Sequence, residues 1–306
     1  MERSTRIIGG AALAVPGLLA AYSAWATRSA ERQVPADGRF IDVPGVRLHF
    51  VERGSGAPIV MIHGLGGQLR NFSYGLAHRL GDRRLVMVDR PGSGYSRSKP
   101  MGIADQAQAI ATLIARLGLQ RPLIVGHSLG GAVALAIALN HPGRVGALAL
   151  VAPLTQVQPD VPAAFEGLAR LPAAARLPFA WTLGTPLAKL TARRTLEQVF
   201  APEPVPDDFP TRGGGLLAAR PGNIDAASYE LGHVNAELAA MAPRYPELTL
   251  PVAILYARGD KVLDPELQGR PTAAMIPGAR LELVEGGHMI PVTQAERVAS
   301  FIRGVM

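Results

Sequence analysis

The nine residues LIVGHSLGG, 123–131, join an apolar run typical of a buried strand to an Ala- and Leu-rich run typical of a helix. A serine between Gly126 and Gly130 at such a junction indicates a sharp turn, because glycine leaves room for closely approaching backbone. The turn would strain Ser128 and hold its hydroxyl group at a helix N-terminus, where N–H groups stabilise negative charge. The sequence therefore predicts that Ser128 is a nucleophile, with an ordinary glycine-rich turn as the alternative.

Strand-like and helix-like segments alternate on both sides of this turn. Continuous apolar runs at 58–62, 85–88 and 145–151 are typical of strands that are buried on both faces of a sheet. A helical pattern at 103–117 ends at Gly118. This alternation predicts an α/β fold with a mostly parallel central sheet that is flanked by helices.

The composition narrows the kinds of site that the chain can form. Its 306 residues are 48% hydrophobic and 18% charged, which suits one large domain or a domain with an insertion. The net charge is +7, but the arginines are scattered, so nucleic acid is not an expected partner. The chain has no cysteine, which excludes disulfides and thiolate chemistry. No metal-ligand cluster or phosphate-binding motif is visible, so we expect no metal and no cofactor.

The N-terminal region contains twenty uncharged residues, 7–26, after Arg3 and Arg6. Because about 20 helical residues cross a bilayer, we expect a membrane-anchored protein of an inner-membrane or periplasmic type. The alternatives are secretion after signal cleavage near Ala24-Trp25-Ala26, and a soluble helix. Residues 27–38, which mix Arg, Ser, Pro and Gly, are interpreted as a linker.

Five short motifs follow one another along the chain. They are HGLGG at 63–67, DRPGSGYS at 89–96, GHSLGG at 126–131, GD at 259–260 and GGH at 286–288. With these motifs, over roughly residues 40–304, the chain resembles the α/β-hydrolase fold superfamily. The resemblance implies that Ser128 is the nucleophile of a serine hydrolase. It also implies that the backbone N–H groups of Leu65 and Leu129 form an oxyanion hole.

Two further residues complete the expected catalytic site. Asp260 and His288 each follow a strand-like run, and the carboxyl ends of parallel strands lie at one edge of a sheet. The chain order Ser, Asp, His is also the order of this fold. We therefore predict a triad of Ser128, His288 and Asp260, with Asp264 and Glu285 as rival acids.

Residues 154–247 break the alternation with frequent prolines and short Ala/Leu-rich pieces. In the family that the chain resembles, such an insertion is a helical cap over the active site. The predicted organisation is therefore 1–38 as anchor and linker, 39–153 and 248–306 as the two halves of the core, and 154–247 as the cap. The further residues that we expect to contact substrate are His63, Gly64, His127, Trp181 and Met289.

A serine at the turn disfavours the dehalogenase and epoxide-hydrolase chemistries of the family, which use a carboxylate nucleophile. We expect hydrolysis of a lipophilic short- to medium-chain carboxylic ester or monoacylglycerol through an acyl-enzyme. The alternatives are a C–C bond hydrolase of ring-fission products and a cofactor-free perhydrolase or haloperoxidase on the same triad. A ligand receptor without activity is a further alternative. The expected partners are a small lipophilic ester and, through residues 7–26, a membrane.

Overall fold

The computed structural model describes the backbone of residues 2–305 and the side chains of residues 15–305. Eight strands of the described chain form one sheet. They are β1 (Arg39–Val43), β2 (Val46–Arg53), β3 (Pro58–Ile62), β4 (Arg84–Val88), β5 (Leu123–His127), β6 (Ala147–Val151), β7 (Val252–Ala257) and β8 (Arg280–Val284).

Eleven α-helices accompany the sheet in the same residues. They are α1 (Glu2–Gln33), α2 (Arg70–Ser73), α3 (Ile103–Arg116), α4 (Leu129–Asn140), α5 (Glu166–Ala169), α6 (Ala173–Phe179), α7 (Thr185–Phe200), α8 (Pro221–Met241), α9 (Gly269–Met275), α10 (Ile290–Thr293) and α11 (Ala295–Arg303). Further helical turns lie at Ala77–Leu80, Pro142–Arg144, Ala180–Gly184, Gly215–Ala219 and Ala242–Glu247.

The strand order is β1-β2-β4-β3-β5-β6-β7-β8, in which β2 pairs antiparallel with both β1 and β4 and all other neighbouring strands pair parallel. Along β5 the side chains alternate between the two faces of the sheet, as the pleat requires. Ile124 packs into the core cluster that contains α3 and α4, whereas Leu123 and Val125 pack into the cluster that contains α11. The predicted mostly parallel sheet with flanking helices is therefore confirmed.

The turn between β5 and α4 is closely packed at its glycines. A Cβ atom on Gly126 would lie 2.6 Å from the carbonyl oxygen of Gly130. A Cβ atom on Gly130 would lie 2.1 Å from the carbonyl oxygen of Ile62, at the end of β3. Neither neighbour is a side chain that could move aside. Glycine is therefore required at both positions, as the sequence pattern predicted.

The cap, residues 154–247, lies between β6 and β7 and contains α5, α6, α7 and α8. Thr195 and Phe200 of α7 line the same cavity as Ser128, so the cap covers the end of β5 where the serine lies. The expected helical cap insertion is present.

The expected membrane-anchored location is wrong. Of the helices in the described residues, none is both long and apolar enough to cross a bilayer. The helix α1 contains the expected span but is rich in alanine and glycine, which contribute little apolar character, and Pro16 lies inside it. The side chains of residues 7–14 lie outside the described residues, and the AWA sequence at 24–26 is helical.

The end of α1 and the residue that follows it, Val34, pack against the cap and the core. Ala30 and Val34 are buried in a cluster with Leu217 of the cap. Glu31 forms an ion pair of 2.8 Å with Arg220, and the carbonyl group of Val34 accepts a hydrogen bond from the Tyr95 hydroxyl group. Since α1 continues to Gln33, most of the stretch that the sequence suggested as a linker is helical. The boundaries of the two core halves, 39–153 and 248–306, and of the cap, 154–247, stay a prediction.

Candidate active site

Ser128 lies between β5 and α4 with φ 54° and ψ −125°, a conformation that L-residues rarely adopt. Three backbone hydrogen bonds hold it there. Its N–H group donates to the carbonyl of Val151 (3.1 Å), and its own carbonyl accepts from Gly131 (2.8 Å) and Leu154 (2.9 Å). Such strain persists only where the surrounding structure fixes the backbone, and it is typical of functional sites.

Asp260 and His288 lie in the loops that follow β7 and β8, and their side chains are joined by a hydrogen bond. His288 Nδ1 is 2.8 Å from Asp260 Oδ2. The other carboxylate oxygen, Oδ1, accepts hydrogen bonds from the backbone N–H groups of Val262 (2.8 Å) and Leu263 (2.9 Å). The carboxylate is thereby aimed at the imidazole ring.

The two rival acids do not contact His288. Asp264 is exposed and accepts a hydrogen bond from the N–H group of Glu266 (2.8 Å), which caps the following turn. The Glu285 side chain is 88% exposed and pairs with Arg258. The geometry thus brings Asp260 alone of the three to the histidine.

Ser128, His288 and Met289 line one cavity of about 150 Å³, which we call the catalytic cavity. In the described part of the chain, Ser128 Oγ makes no hydrogen bond with the His288 ring. Such bonds are often long before substrate binds and shorten in the complex. Ser128 and His288 line the same cavity, and His288 is hydrogen-bonded to Asp260. The three predicted triad residues therefore lie together.

The expected oxyanion donors lie beside the serine. Leu129 is the first residue of α4, so its N–H group has no partner within the helix. The N–H group of Leu65 likewise makes no hydrogen bond in the described chain. A Cβ atom on Gly64 would lie 2.8 Å from Ser128 Cβ, which shows how closely the loop that carries Leu65 approaches the serine.

Two buried histidines border the site and are neutral. Burial lowers the pKa of His63 to about 3, assisted by the positive charge of Arg90. Burial also lowers the pKa of His127 to about 3, assisted by His288. His63 Nε2 accepts from the N–H group of Arg90 (2.9 Å) and its Nδ1 donates to the carbonyl of Gly64 (2.8 Å). His127 Nε2 donates to the carbonyl of His288 (3.0 Å).

The residues expected to contact substrate divide into two groups. Gly64, His127 and Met289 line the catalytic cavity. His63 does not line it, because its ring is fully buried and both nitrogens bond to the backbone. Trp181 does not line it either: the residue is 42% exposed, and it belongs to the turn Ala180–Gly184, which contacts α1. For these two residues the structure does not support contact with substrate.

The cap supplies residues of the catalytic cavity that the sequence did not single out. The apolar members of the catalytic cavity from the cap include Phe165, Leu196, Val199, Phe200 and Phe209. Phe165 and Leu196 also line a neighbouring cavity of about 640 Å³ within the cap, which we call the cap cavity. Its further apolar residues include Leu168, Phe179, Leu187, Ala188 and Ile224. The two cavities are therefore adjacent and share part of their walls.

The cap also contacts the loop that carries His288. Glu203 Oε2 accepts hydrogen bonds from the Gly287 N–H group (3.1 Å) and the Thr293 hydroxyl group (2.7 Å). Its Oε1 accepts from Gln294 Nε2 (2.9 Å).

Within the described residues, no group of three or more His, Cys, Asp or Glu side chains could hold a metal ion.

Residues 57–295 match the family model of the alpha/beta hydrolase fold. The chain belongs to the α/β-hydrolase fold family. The chain is 30% identical over 293 residues to a 2-hydroxymuconate semialdehyde hydrolase of Pseudomonas putida. The match covers 91% of this chain and 97% of that protein.

Two other proteins are similar to this chain, one over less than half of its length and one over most of it. A dihydrolipoyllysine-residue acetyltransferase component of the acetoin cleaving system of Cupriavidus necator is 36% identical over 139 residues. That match covers 44% of the hydrolase and only 37% of the relative. A thermophilic esterase from Thermogutta terrifontis, solved with malate bound, superimposes with a TM-score of 0.70 at 25% identity, over 87% of this chain and 97% of that one.

The neutral, buried histidines make the stability of the hydrolase depend on pH. Between the ordinary pKa of 6.5 and the folded value of about 3, the unfolded chain binds more protons at His63 and His127 than the folded one does. The free energy of unfolding should therefore fall as the pH drops below about 6.5, by about 1.4 kcal/mol per pH unit for each histidine.

Urea unfolding between about pH 7 and about pH 5, where carboxylates contribute little, measures this slope. We expect His127→Gln to lower the slope by about 1.4 kcal/mol per pH unit, since the contribution of that buried histidine is removed. His78→Gln, at an exposed position, is the control and should leave the slope unchanged. An equal slope in wild type and His127→Gln would contradict the assignment.

Proposed function

We propose that the hydrolase cleaves lipophilic carboxylic esters through an acyl-enzyme on Ser128. The observation that carries the proposal is the wall shared by the small cavity at Ser128 and the larger apolar cap cavity. A small reaction chamber next to an apolar space suits an ester with a hydrocarbon chain. Burial of that chain would contribute about 0.8 kcal/mol per methylene group.

Each step of the reaction has a residue to perform it. His288 Nε2 takes the proton of Ser128 as Oγ forms a bond with the ester carbonyl carbon and the C=O electron pair moves to oxygen. Collapse of this intermediate breaks the bond to the alkoxide, which leaves with the proton from His288. Water then attacks the acyl-enzyme by the same route and releases the acid. Asp260 holds the imidazole in the tautomer with hydrogen on Nδ1, which the 2.8 Å hydrogen bond supports.

The negative oxygen of the intermediate would accept hydrogen bonds from the N–H groups of Leu65 and Leu129. These donors cost little to reorganise because they are already unpaired and held by the surrounding backbone. Loss of one such donor typically costs 10²–10³-fold in kcat, or about 2.7–4 kcal/mol. Stabilisation of this kind acts in the transition state rather than on bound substrate.

A second candidate is hydrolysis of a C–C bond, favoured by the similarity to 2-hydroxymuconate semialdehyde hydrolase. A substrate with a carboxylate next to the scissile bond would be matched by a cationic side chain in the cavity. Among the described residues that line the catalytic cavity, none is lysine or arginine. The ester is therefore the better match, and parallel assays of an ester and a ring-fission product compare the two directly.

Ser128→Ala should abolish ester turnover, because it removes the nucleophile and leaves the turn to form around a small side chain. Wild type should also react with a serine-directed fluorophosphonate, and the variant should not. Ser300→Ala, at an exposed position on α11, is the control and should behave as wild type. Undiminished labelling of Ser128→Ala would place the nucleophile elsewhere, and an unlabelled wild type would favour a receptor.

The choice of acid is tested by a matched pair of substitutions. Asp260→Asn should lower kcat on the order of 10⁴-fold, because the amide favours the wrong histidine tautomer. Asp264→Asn should leave kcat near the wild-type value, since this exposed side chain bonds only to the N–H group of Glu266. If Asp264→Asn were the more damaging of the two, the proposed triad would be wrong.

Filling the cap cavity should change chain-length preference without disturbing the chemistry. Ala188→Phe adds a ring to the wall of the cap cavity, so kcat/KM should fall for the longer p-nitrophenyl esters and stay near wild type for the acetate. Ala174→Phe, at an exposed position on α6, is the control and should retain the wild-type preference. A uniform loss across all chain lengths in Ala188→Phe would argue against this space as the acyl site.

A further inference from the structure

Arg90, the second residue after β4, is a fully buried cation, with 0% of its side chain exposed. A buried charge is costly unless it is paired and hydrogen-bonded. The guanidinium group makes a two-pronged ion pair with Glu230 of the cap helix α8, in which Nη1 contacts Oε1 and Nη2 is 3.2 Å from Oε2. Nη1 also donates to Gln106 Oε1 of α3 (2.8 Å).

The remaining donors of Arg90 bond to the backbone of the HGLGG loop. Nε donates to the carbonyl of His63 (2.9 Å) and Nη2 donates to the carbonyl of Gly64 (3.0 Å). With the bonds to Glu230 and Gln106, these account for the five N–H groups of the guanidinium. Arg90 therefore joins two consecutive peptide carbonyls of the loop to a carboxylate of the cap.

The bond to Gly64 determines where the next N–H group points. The carbonyl of Gly64 accepts from Arg90 Nη2 (3.0 Å), from His63 Nδ1 (2.8 Å) and from the N–H group of Gly67 (3.2 Å). In a planar trans peptide, the N–H group of the following residue points opposite to that carbonyl. Fixing the carbonyl of Gly64 therefore fixes the direction of the Leu65 N–H group.

The ion pair also controls the charge near the serine. Glu230 lines a small cavity of about 60 Å³ that is bordered by Leu65, Ser128 and Leu129. An unpaired carboxylate there would oppose the negative charge that develops on a substrate oxygen, and in a low-dielectric interior that opposition is strong. Pairing with Arg90 removes this opposition while retaining the carboxylate as an anchor.

We propose that Arg90 is a positioning residue that aims the Leu65 N–H group at the oxyanion, and that Glu230 of the cap holds Arg90 in place. The inference rests on the proposed serine hydrolase function and deepens it. The cap then completes the oxyanion hole as well as covering the substrate. The effect of Arg90 is exerted through the backbone of Gly64 and Leu65, since its own side chain does not reach the catalytic cavity.

The test needs a folded protein without the guanidinium. The double substitution Arg90→Met, Glu230→Met replaces the buried pair by apolar side chains, a change that is often neutral or stabilising. The matched control is Arg84→Met, Glu52→Met, which removes a partly buried pair of 2.6 Å at the opposite end of β4. If the first double variant does not unfold cooperatively, Arg90→Lys replaces it, because lysine keeps the positive charge but cannot bridge two carbonyls and a carboxylate.

The readout is the affinity for an alkyl trifluoromethyl ketone, compared with the alcohol of the same chain. The ketone reacts with Ser128: Oγ bonds to the carbonyl carbon, the C=O electron pair moves to oxygen, and the serine proton passes to His288. The alcohol fills the same space but offers no carbonyl to attack. A loss confined to the ketone therefore reports on the oxyanion hole rather than on the shape of the pocket.

We expect the inhibition constant of the ketone to rise by about 10²–10³-fold in the first double variant, as for loss of one oxyanion donor, and that of the alcohol to stay unchanged. Ester kcat should fall in parallel at constant KM, and the control should match wild type. A folded variant that binds the ketone as tightly as wild type would overturn the role of Arg90 alone. A wild-type protein that does not bind the ketone would overturn the proposed function as well.

Discussion

The close approach of β3, β5 and α4 around Ser128 is the constraint on which the rest of the site depends. The backbone of Gly130 packs against the carbonyl of Ile62, and that of Gly64 packs against Ser128 itself. These contacts bring the HGLGG loop within reach of the serine and hold the serine in its strained conformation. Backbone contacts of this kind cannot relax by side-chain movement. The packing of the sheet therefore sets the position of Ser128 relative to the HGLGG loop, whatever the side chains of Asp260 and His288 do.

The cap contributes to this site through two carboxylates that do not face substrate in the catalytic cavity. Glu230 pairs with Arg90 behind the HGLGG loop, and Glu203 bonds to the loop that carries His288. In the proposed mechanism, Glu230 would thus support the loop that carries the oxyanion donor Leu65, and Glu203 would support the loop that carries the base His288. Changes in the cap would then alter turnover as well as the choice of substrate.

The sequence predicted the sheet, the strained turn and the spatial group of Ser128, Asp260 and His288, because these depend on local patterns and on the geometry of parallel strands. It could not predict the partners of Arg90, because Glu230 lies 140 residues away in a segment without regular alternation. The buried role of His63 and the outward position of Trp181 also depend on long-range packing. The predicted membrane anchor at residues 7–26 is wrong because a stretch without charge is not always apolar enough for a bilayer.

The structure that supports the candidate site extends beyond the sheet to the end of α1. Glu31 and Val34 bond to Arg220 and Tyr95, and Tyr95 belongs to the same DRPGSGYS loop as Arg90. An expression clone trimmed to the first strand would keep every triad residue and yet lose these supports of the cap and the loop. For protein engineering, the useful boundary therefore lies within α1, upstream of Glu31, and not at the start of β1.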